Sequence, residues 1–451
     1  MTGAARTKSS PAREYRRREP EKSLLHETVR GHWKSLLAEV AARTDGGTLP
    51  GFVVAEFERY LACGVLAHGF ARVRCEACGK DLLVALSCKG RGFCPSCTTR
   101  RMQGTAIHLV DRVVPAVPVR QWVLSLPRWA RFLLARDPHR ITQTLAIALQ
   151  EIFKSLRGRA RRDGARGAKT GAITFVQRFG SALNLNVHFH AVVPDGVFAR
   201  EAGAVRFVAL GAPSDEELRA ILLRIARRVR KLLKPKRDAA RDDATPPDTL
   251  ALAQAESVTS LPMTREPWVQ KQHAAYFEGF SLHAGVHLHA NDREGLAHLC
   301  GYGARPALSQ ERLSRLDDGR LVLSLKRPLA DGRTSLVLEP LELLRRLATL
   351  VPPPRAHLVR FHGVFGPASK WRAEIVPAPP ERPASLGSRC AAAPSSDSAP
   401  SQPRPATTRA RPRRDSAGPT RASLGQSCCS ESSARTCSPV RAEEGGRCSP
   451  S

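Results

Sequence analysis

The stretch Asn184-Leu185-Asn186-Val187-His188-Phe189-His190-Ala191-Val192-Val193-Pro194-Asp195-Gly196 alternates polar and apolar side chains with a period of two. That is the period of a β-strand, so Asn186, His188 and His190 share one face while Val187, Phe189 and Ala191 pack on the other. Two imidazoles then stand roughly 6.5–7 Å apart along the strand, near enough to converge on one divalent cation through neutral ring nitrogens. A half-buried strand with two incidental histidines has the same pattern. Residues elsewhere in the chain decide between the two.

On either side of this strand the chain continues as a mixture of short strands and helices. Residues 172–178 and 183–193 read as an antiparallel hairpin, with 205–210 as a third strand beside it. Upstream, 120–127 reads as a strand closed by Pro127, and helical stretches cover 128–136 and 141–156. The arginine- and glycine-rich run 157–169 reads as a mobile basic arm. Downstream, Ser214-x-x-Glu217 is a capping box opening a helix whose apolar stripe is Leu218, Ile221, Leu222, Ile225, Val229 and Leu232. Residues 234–260 read as a linker, 279–289 as a strand and 292–301 as a helix. Strands at 313–316, 320–326 and 335–338 precede a helix over 341–350. The class is α+β.

The N-terminal part is helical across 20–61, with Leu24, Leu25, Val29, Trp33, Leu36, Leu37 and Val40 at three- and four-residue steps and a break at Gly46, Gly47 and Pro50. It leads into Cys75-x2-Cys78-x15-Cys94-x2-Cys97, with a strand-like 81–87 between the pairs. Two tight turns that each deliver two thiolates match the tetrahedral coordination of structural zinc, whose binding energy is folding energy. Cys88 can replace one of the four, and Cys63 and His68 are spare candidates. A basic rim, including Arg72, Arg74, Lys80 and Arg91, suits phosphate contacts or is a solvated face.

The 451 residues carry a net charge of +30, which gives the protein a salt-sensitive attraction for polyanions, nucleic acid above all. From residue 377 onward there are eleven arginines, six acidic residues, and no lysine, tyrosine or tryptophan. Such a segment builds no core, so 376–451 reads as a low-complexity disordered tail or as coding sequence in a shifted frame. Its excess of about five positive charges leaves most of the +30 on the folded body. No apolar run is long enough to span a membrane and no signal sequence is evident, so a cytoplasmic protein without a membrane partner is expected. Crowded cysteines in a reducing compartment point to metal ligation rather than disulfides.

With its four-cysteine module, His-hydrophobic-His strand and downstream helix ending near Tyr302, the chain resembles the rolling-circle transposases of the insertion-sequence ninety-one family, within the HUH endonuclease superfamily. The pieces that carry the resemblance are 75–97, 120–127, 178–198, 279–284, 300–306 and 361–367. It implies an N-terminal helical, zinc-ribbon-like domain over 15–110 and an HUH-type catalytic domain over 115–375, with an antiparallel sheet and flanking helices. It further implies that His188 and His190 hold Mg²⁺ or Mn²⁺ and that Tyr302 cleaves single-stranded DNA at the element's termini through a 5′-phosphotyrosine. Relatives often carry two tyrosines four residues apart; here the earlier position is His298, as in the one-tyrosine subgroup associated with common-region elements. A third metal ligand is then needed. Gln177 is the candidate, because a turn at 181–184 sets it opposite His188, whereas a one-residue slip would point it away. Tyr276 is the rival nucleophile, and His287-Leu288-His289 repeats the spacing of the first pair. Three functions fit: a DNA strand transferase, a zinc-dependent DNA-binding remnant without catalysis, and a metal phosphodiesterase that uses activated water.

Overall fold

The computed structural model describes residues 18–74, 79, 81–234, 249–259, 272–329 and 331–378. The N-terminal region supplies α1 (Leu24–Arg43), α2 (Gly51–Leu61), the strand pair β1 (Phe70–Arg74) and β2 (Asp81–Ala85), and α3 (Pro95–Arg112). Next come β3 (Val119–Ser125), α4 (Arg128–Arg136), α5 (Pro138–Arg162), β4 (Gly171–Phe179), β5 (Leu185–Pro194), β6 (Gly196–Glu201), β7 (Ala204–Ala209) and α6 (Asp215–Leu233). After them follow α7 (Thr249–Thr259), β8 (Ala274–Phe277), β9 (Phe280–Leu288), α8 (Arg293–Ala304), β10 (Leu313–Arg315), β11 (Leu321–Ser324) and β12 (Ser335–Leu338). The last elements are α9 (Pro340–Leu350), β13 (Val359–Gly363) and α10 (Arg372–Ile375). The class is α+β, as the sequence indicates.

One six-stranded antiparallel sheet, in the order β13-β4-β5-β3-β9-β8, organises the molecule. The alternation in β5 sends Val187, Phe189 and Ala191 into one core with α4, α5, α6, α7 and α9, while Phe175 and Val192 on the other face join Leu109 of α3 and Leu296 and Cys300 of α8 in a second core. With a helix layer on each face, β4 is buried along its whole length, polar residues included. The turn between β4 and β5 fixes their register. The Gly180 N–H donates to the Asn184 carbonyl at 2.9 Å, and Leu183 takes a positive φ of 57°. At the opposite end of β5, the guanidinium of Arg120 grips the Asp195 carboxylate in two hydrogen bonds of 2.9 and 2.7 Å, both residues being buried. A bidentate pair of this kind fixes the relative position of β3 and β5 by geometry as well as charge.

Several elements depart from the sequence expectations. Residues 205–210 do not extend the central sheet: β7 pairs with β6 in a separate ribbon, and the strand flanking β5 is β3. The expected basic arm is helical to Arg162, because Ala160 is fully buried and Arg159 is tied to the carbonyl of Leu210 and to Glu217. Tertiary contacts there outweigh the helix penalty of Gly158. The second half of the expected linker is α7, whose Ser257 hydroxyl accepts from the Leu185 N–H at 2.8 Å. Beyond residue 378 the expected disordered tail lies outside the described residues.

Candidate active site and cysteine cluster

Residues opposite each other across an antiparallel pair point to the same face. Gln177 lies opposite His188, Phe175 opposite His190, and Ser125 of β3 opposite His188 on its other side. Gln177, His188 and His190 therefore share the face that α8 covers. Their register is the one that a turn at 181–184 predicts.

Helix α8 begins where the Asp292 carboxylate accepts from the Gly295 N–H at 2.8 Å, and it stops before Pro306. Leu296, Cys300 and Gly303 form its buried stripe, while Tyr302 is 47% exposed in the last turn. Gly303 is what allows the close approach: a Cβ there would stand 2.5 Å from the Phe175 ring. The Gln177 amide then donates to the Tyr302 and Gly303 carbonyls at 2.8 and 2.9 Å, satisfying C-terminal carbonyls that the helix itself cannot pair. Gln177 thus fastens the tyrosine helix to the sheet, a role that spacing alone did not reveal. The ring of Tyr302 comes within 5.6 Å of the ring of His190, centroid to centroid.

The polar atoms on this face are arranged as a donor set. Nδ1 of His188 donates to the Asn186 carbonyl at 2.8 Å, which leaves the lone pair on Nε2. The Gln121 side-chain amide sits 3.2 Å from Nδ1 of His190, and a half-turn of that amide lets its oxygen accept the Nδ1 proton. Nε2 of His190 and Oε1 of Gln177 are buried and have no protein partner. Burial pushes His188 down to about 4, and pushes His190 down to about 3 with help from its neighbour His188 and from Arg305, so both imidazoles are neutral at neutral pH. Two neutral imidazoles and an amide oxygen are chemically suited to a divalent cation, and the unpaired His190 Nε2 and Gln177 Oε1 could ligate one. Among the described residues no carboxylate, cysteine or third histidine joins the pair.

The rival groups lie elsewhere on the sheet. Tyr276 is on the edge strand β8, opposite Ser281, with its ring 5.3 Å from that of His283. His287 lies opposite Arg120, at the other end of β3 from Ser125, and its Nε2 is 3.3 Å from the Asp195 carboxylate. His287 thus joins the Arg120–Asp195 lock, with the ring of His289 5.0 Å from its own.

A separate cluster gathers four thiols. The Sγ atoms of Cys63, Cys88, Cys94 and Cys97 all lie within 4.8 Å of one another. Cys63 is 3.7 Å from Cys94 and 3.6 Å from Cys97, and Cys88 is 3.4 Å from Cys97. A zinc tetrahedron with bonds of about 2.3 Å has edges of roughly 3.8 Å, so these thiols are already near its corners. The Cys88 N–H points at the sulfur of Cys63 and the Gly90 N–H at that of Cys88, at 3.4 and 3.3 Å. Lys89 between them adopts a positive φ of 52°. Hydrogen bonds from the neighbouring thiols lower Cys63 to about 6 and lower Cys97, while Cys88 and Cys94, as their donors, are raised.

Of the expected set Cys75, Cys78, Cys94 and Cys97, the first two lie outside the described residues. Among the described residues, Cys63 and Cys88, the spare candidates, gather beside the second pair. Cys63 follows the end of α2 and Cys88 the end of β2, so their meeting depends on how the chain returns and not on a tight C-x2-C turn. Trp33, Phe57 and Phe93 pack successively beneath, with centroids 4.3 and 4.5 Å apart, and the Glu56 carboxylate accepts from the Gly92 N–H at 2.7 Å. From the cluster α3 runs directly onto α8.

Comparison with known families gives two matches. Residues 28–126 match the family described as "Transposase zinc-binding domain", of the IS91 type, and residues 171–372 match the family described as "Putative transposase". The first covers the four thiols and the second covers Gln177, His188, His190 and Tyr302. Comparisons with curated proteins and with solved structures returned no match. Among the described residues no helix is long and apolar enough to cross a membrane.

Proposed function

We infer that this chain, which carries a transposase zinc-binding domain followed by a transposase domain, nicks and rejoins single-stranded DNA through a 5′-phosphotyrosine at Tyr302. The observation that carries the reading is the meeting of Tyr302 with His190 on the same sheet face as His188 and Gln177. His188, His190 and Gln177 would hold Mg²⁺ or Mn²⁺, and a cation bound there would polarise the scissile phosphate as a Lewis acid. Asn186 and Gln121 orient the two imidazoles from behind. The Tyr302 oxygen gives up its proton and bonds to phosphorus as the bond from phosphorus to the 3′-oxygen breaks. The departing strand leaves with a 3′-hydroxyl. Attack by a 3′-hydroxyl on the phosphotyrosine reverses these bonds, so rejoining needs no nucleotide hydrolysis.

Two further features support an HUH-type, rolling-circle mechanism with one tyrosine. The histidine pair lies on a central strand of an antiparallel sheet, with the tyrosine on a helix packed over it. Four residues before Tyr302, His298 occupies the position where two-tyrosine relatives carry the other nucleophile, and its side chain is 80% exposed. A zinc held by the cysteine cluster would be structural, since four thiols leave no open coordination position for substrate.

The test is incubation with labelled single strands tiled across the DNA that flanks the gene, in Mg²⁺ or Mn²⁺. Denaturation-resistant adduct is expected on a strand that carries the terminus, and none is expected with His188→Ala. Cleavage without adduct would assign the site to activated water. Tight binding with no cleavage of any strand would make the chain a DNA-binding remnant.

A further inference from the structure

The three-stranded sheet β10-β11-β12 is attached beside the tyrosine helix by a cation. Nη2 of Arg312 donates to the Ser181 carbonyl in the β4–β5 turn at 2.6 Å, and its Nε donates to the Ser324 carbonyl at the end of β11 at 2.7 Å. Two residues before Ser181, the ring of Phe179 carries the guanidinium of Arg305 at 4.9 Å, and the same guanidinium sits 4.7 Å from the Tyr302 ring. Nε of Arg305 is buried and has no hydrogen-bond partner. Two residues after Ser324 comes Lys326. None of these three cations forms an ion pair with a carboxylate among the described residues, whereas Arg43, Arg224, Arg228, Arg315 and Arg345 each reach a Glu far along the chain.

The cost of that arrangement is visible in the free protein. Burial lowers Arg305 and Arg312, and repulsion from Arg305 lowers Arg312 further. Partial desolvation lowers Lys326, followed by Arg305 and Arg312. Uncompensated positive charge of this kind is relieved by an anion, and a nucleic-acid strand presents one at each phosphate.

We propose that Arg305, Arg312 and Lys326 form a phosphate track that holds the backbone of the single strand next to Tyr302, with β10-β11-β12 serving as its outer wall. The track rests on the reading of Tyr302 as the residue that meets DNA. It adds that the accessory sheet, and not only the histidine face, grips the strand. Arg305, stacked between Phe179 and Tyr302, is placed for the phosphate nearest the nucleophile. Arg312 and Lys326 take the phosphates that follow.

The experiment is a salt titration of the full chain with an oligo(dT) strand of about 20 nucleotides, longer than one binding site. For every phosphate that a variant no longer neutralises, the slope of log affinity against log salt falls by about 0.7 on a single strand. Arg305→Ala and Lys326→Ala are expected each to lower the slope by about that amount and to weaken low-salt binding several-fold. Arg227→Ala, which removes an exposed cation on α6, is expected to change the slope far less. Arg312→Lys should keep the wild-type slope, whereas Arg312→Ala should lower it; zinc content and thermal midpoint report whether either variant is folded. Slopes for Arg305→Ala and Lys326→Ala equal to that of Arg227→Ala would overturn the track, whatever the Arg312 variants do. If the slopes fall as expected while the wild-type protein forms no adduct with any strand, the track stands and the nicking reading fails.

Discussion

The ring of Tyr302 meets the ring of His190 at 5.6 Å and 77°, although 112 positions of chain separate them. The contact exists because Gln177 ties the end of α8 to β4, one strand away from the histidines. The tyrosine and the two neutral imidazoles are thus brought together by a side-chain amide on a strand that bonds the end of a helix, rather than by loops.

Replacing Tyr302 with Phe removes one oxygen from a side chain that is nearly half exposed, so folding, zinc content and single-strand binding should be unchanged. Covalent adduct should disappear entirely. Mass spectrometry of the protein after incubation with an intact single strand that the wild type cleaves checks this, and adduct persisting in the variant would move the nucleophile to another residue, with Tyr276 first in line.

Zinc should be bound at about one equivalent per chain by Cys63, Cys88, Cys94 and Cys97. Cys63→Ser or Cys88→Ser should reduce it below about half an equivalent and lower the thermal midpoint, because zinc binding at such a site is folding energy. Metal analysis of Cys75→Ser/Cys78→Ser gives the converse test: zinc retained supports the four clustered thiols, and zinc lost would restore the pairing that C-x2-C spacing suggests.

Gly303→Ala should separate the tyrosine from its site. Its Cβ would overlap the Phe175 ring, so α8 must shift, at a cost of about 1–3 kcal/mol of stability. Adduct formation should fall at least tenfold with single-strand affinity little changed. Adding Phe175→Leu opens space and should restore part of the rate; a Gly303→Ala protein as fast as wild type would show that the close approach of α8 is not required.

Acid should destabilise the fold through buried histidines. His188, His190 and His362 are held by burial at about 4, 3 and 4, below the unfolded value of about 6.5. The unfolded chain therefore binds the extra protons, so stability is full above pH 6.5 and declines as pH falls through the window down to about 3–4. Thermal midpoints without added Mg²⁺ or Mn²⁺ should drop across that window, and a His190→Gln variant should show a shallower drop. An unchanged slope in that variant would mean that His190 is not buried as a neutral ring.

Much of the central architecture was legible in the sequence because it rests on local periodicity. The alternation over 184–193 yields a strand with both histidines on one face, and the turn at 181–184 yields the register that sets Gln177 opposite His188. The capping box at Ser214 yields the start of α6, where the Ser214 hydroxyl accepts from the Glu217 N–H at 3.2 Å. The strands of β10-β11-β12 were legible for the same reason. Each of these features is decided by neighbours a few residues apart.

What only the tertiary structure decided involves partners far apart in the chain. Spacing pairs Cys75 with Cys78, but it cannot report that the chain returns to bring Cys63 and Cys88 against Cys94 and Cys97. Nor does any local pattern place β3 and β13 on either side of the β4–β5 hairpin, or turn the glycine-rich basic run into the end of α5. The Gln177 amide reads as a ligand alone until α8 is laid over the sheet, where its nitrogen caps that helix and its oxygen remains without a protein partner. Local sequence sets which way a side chain faces through steric and hydrogen-bonding preferences of the backbone. Which distant group it then faces is set by the burial of both cores together, a sum over contacts that no single stretch of sequence contains.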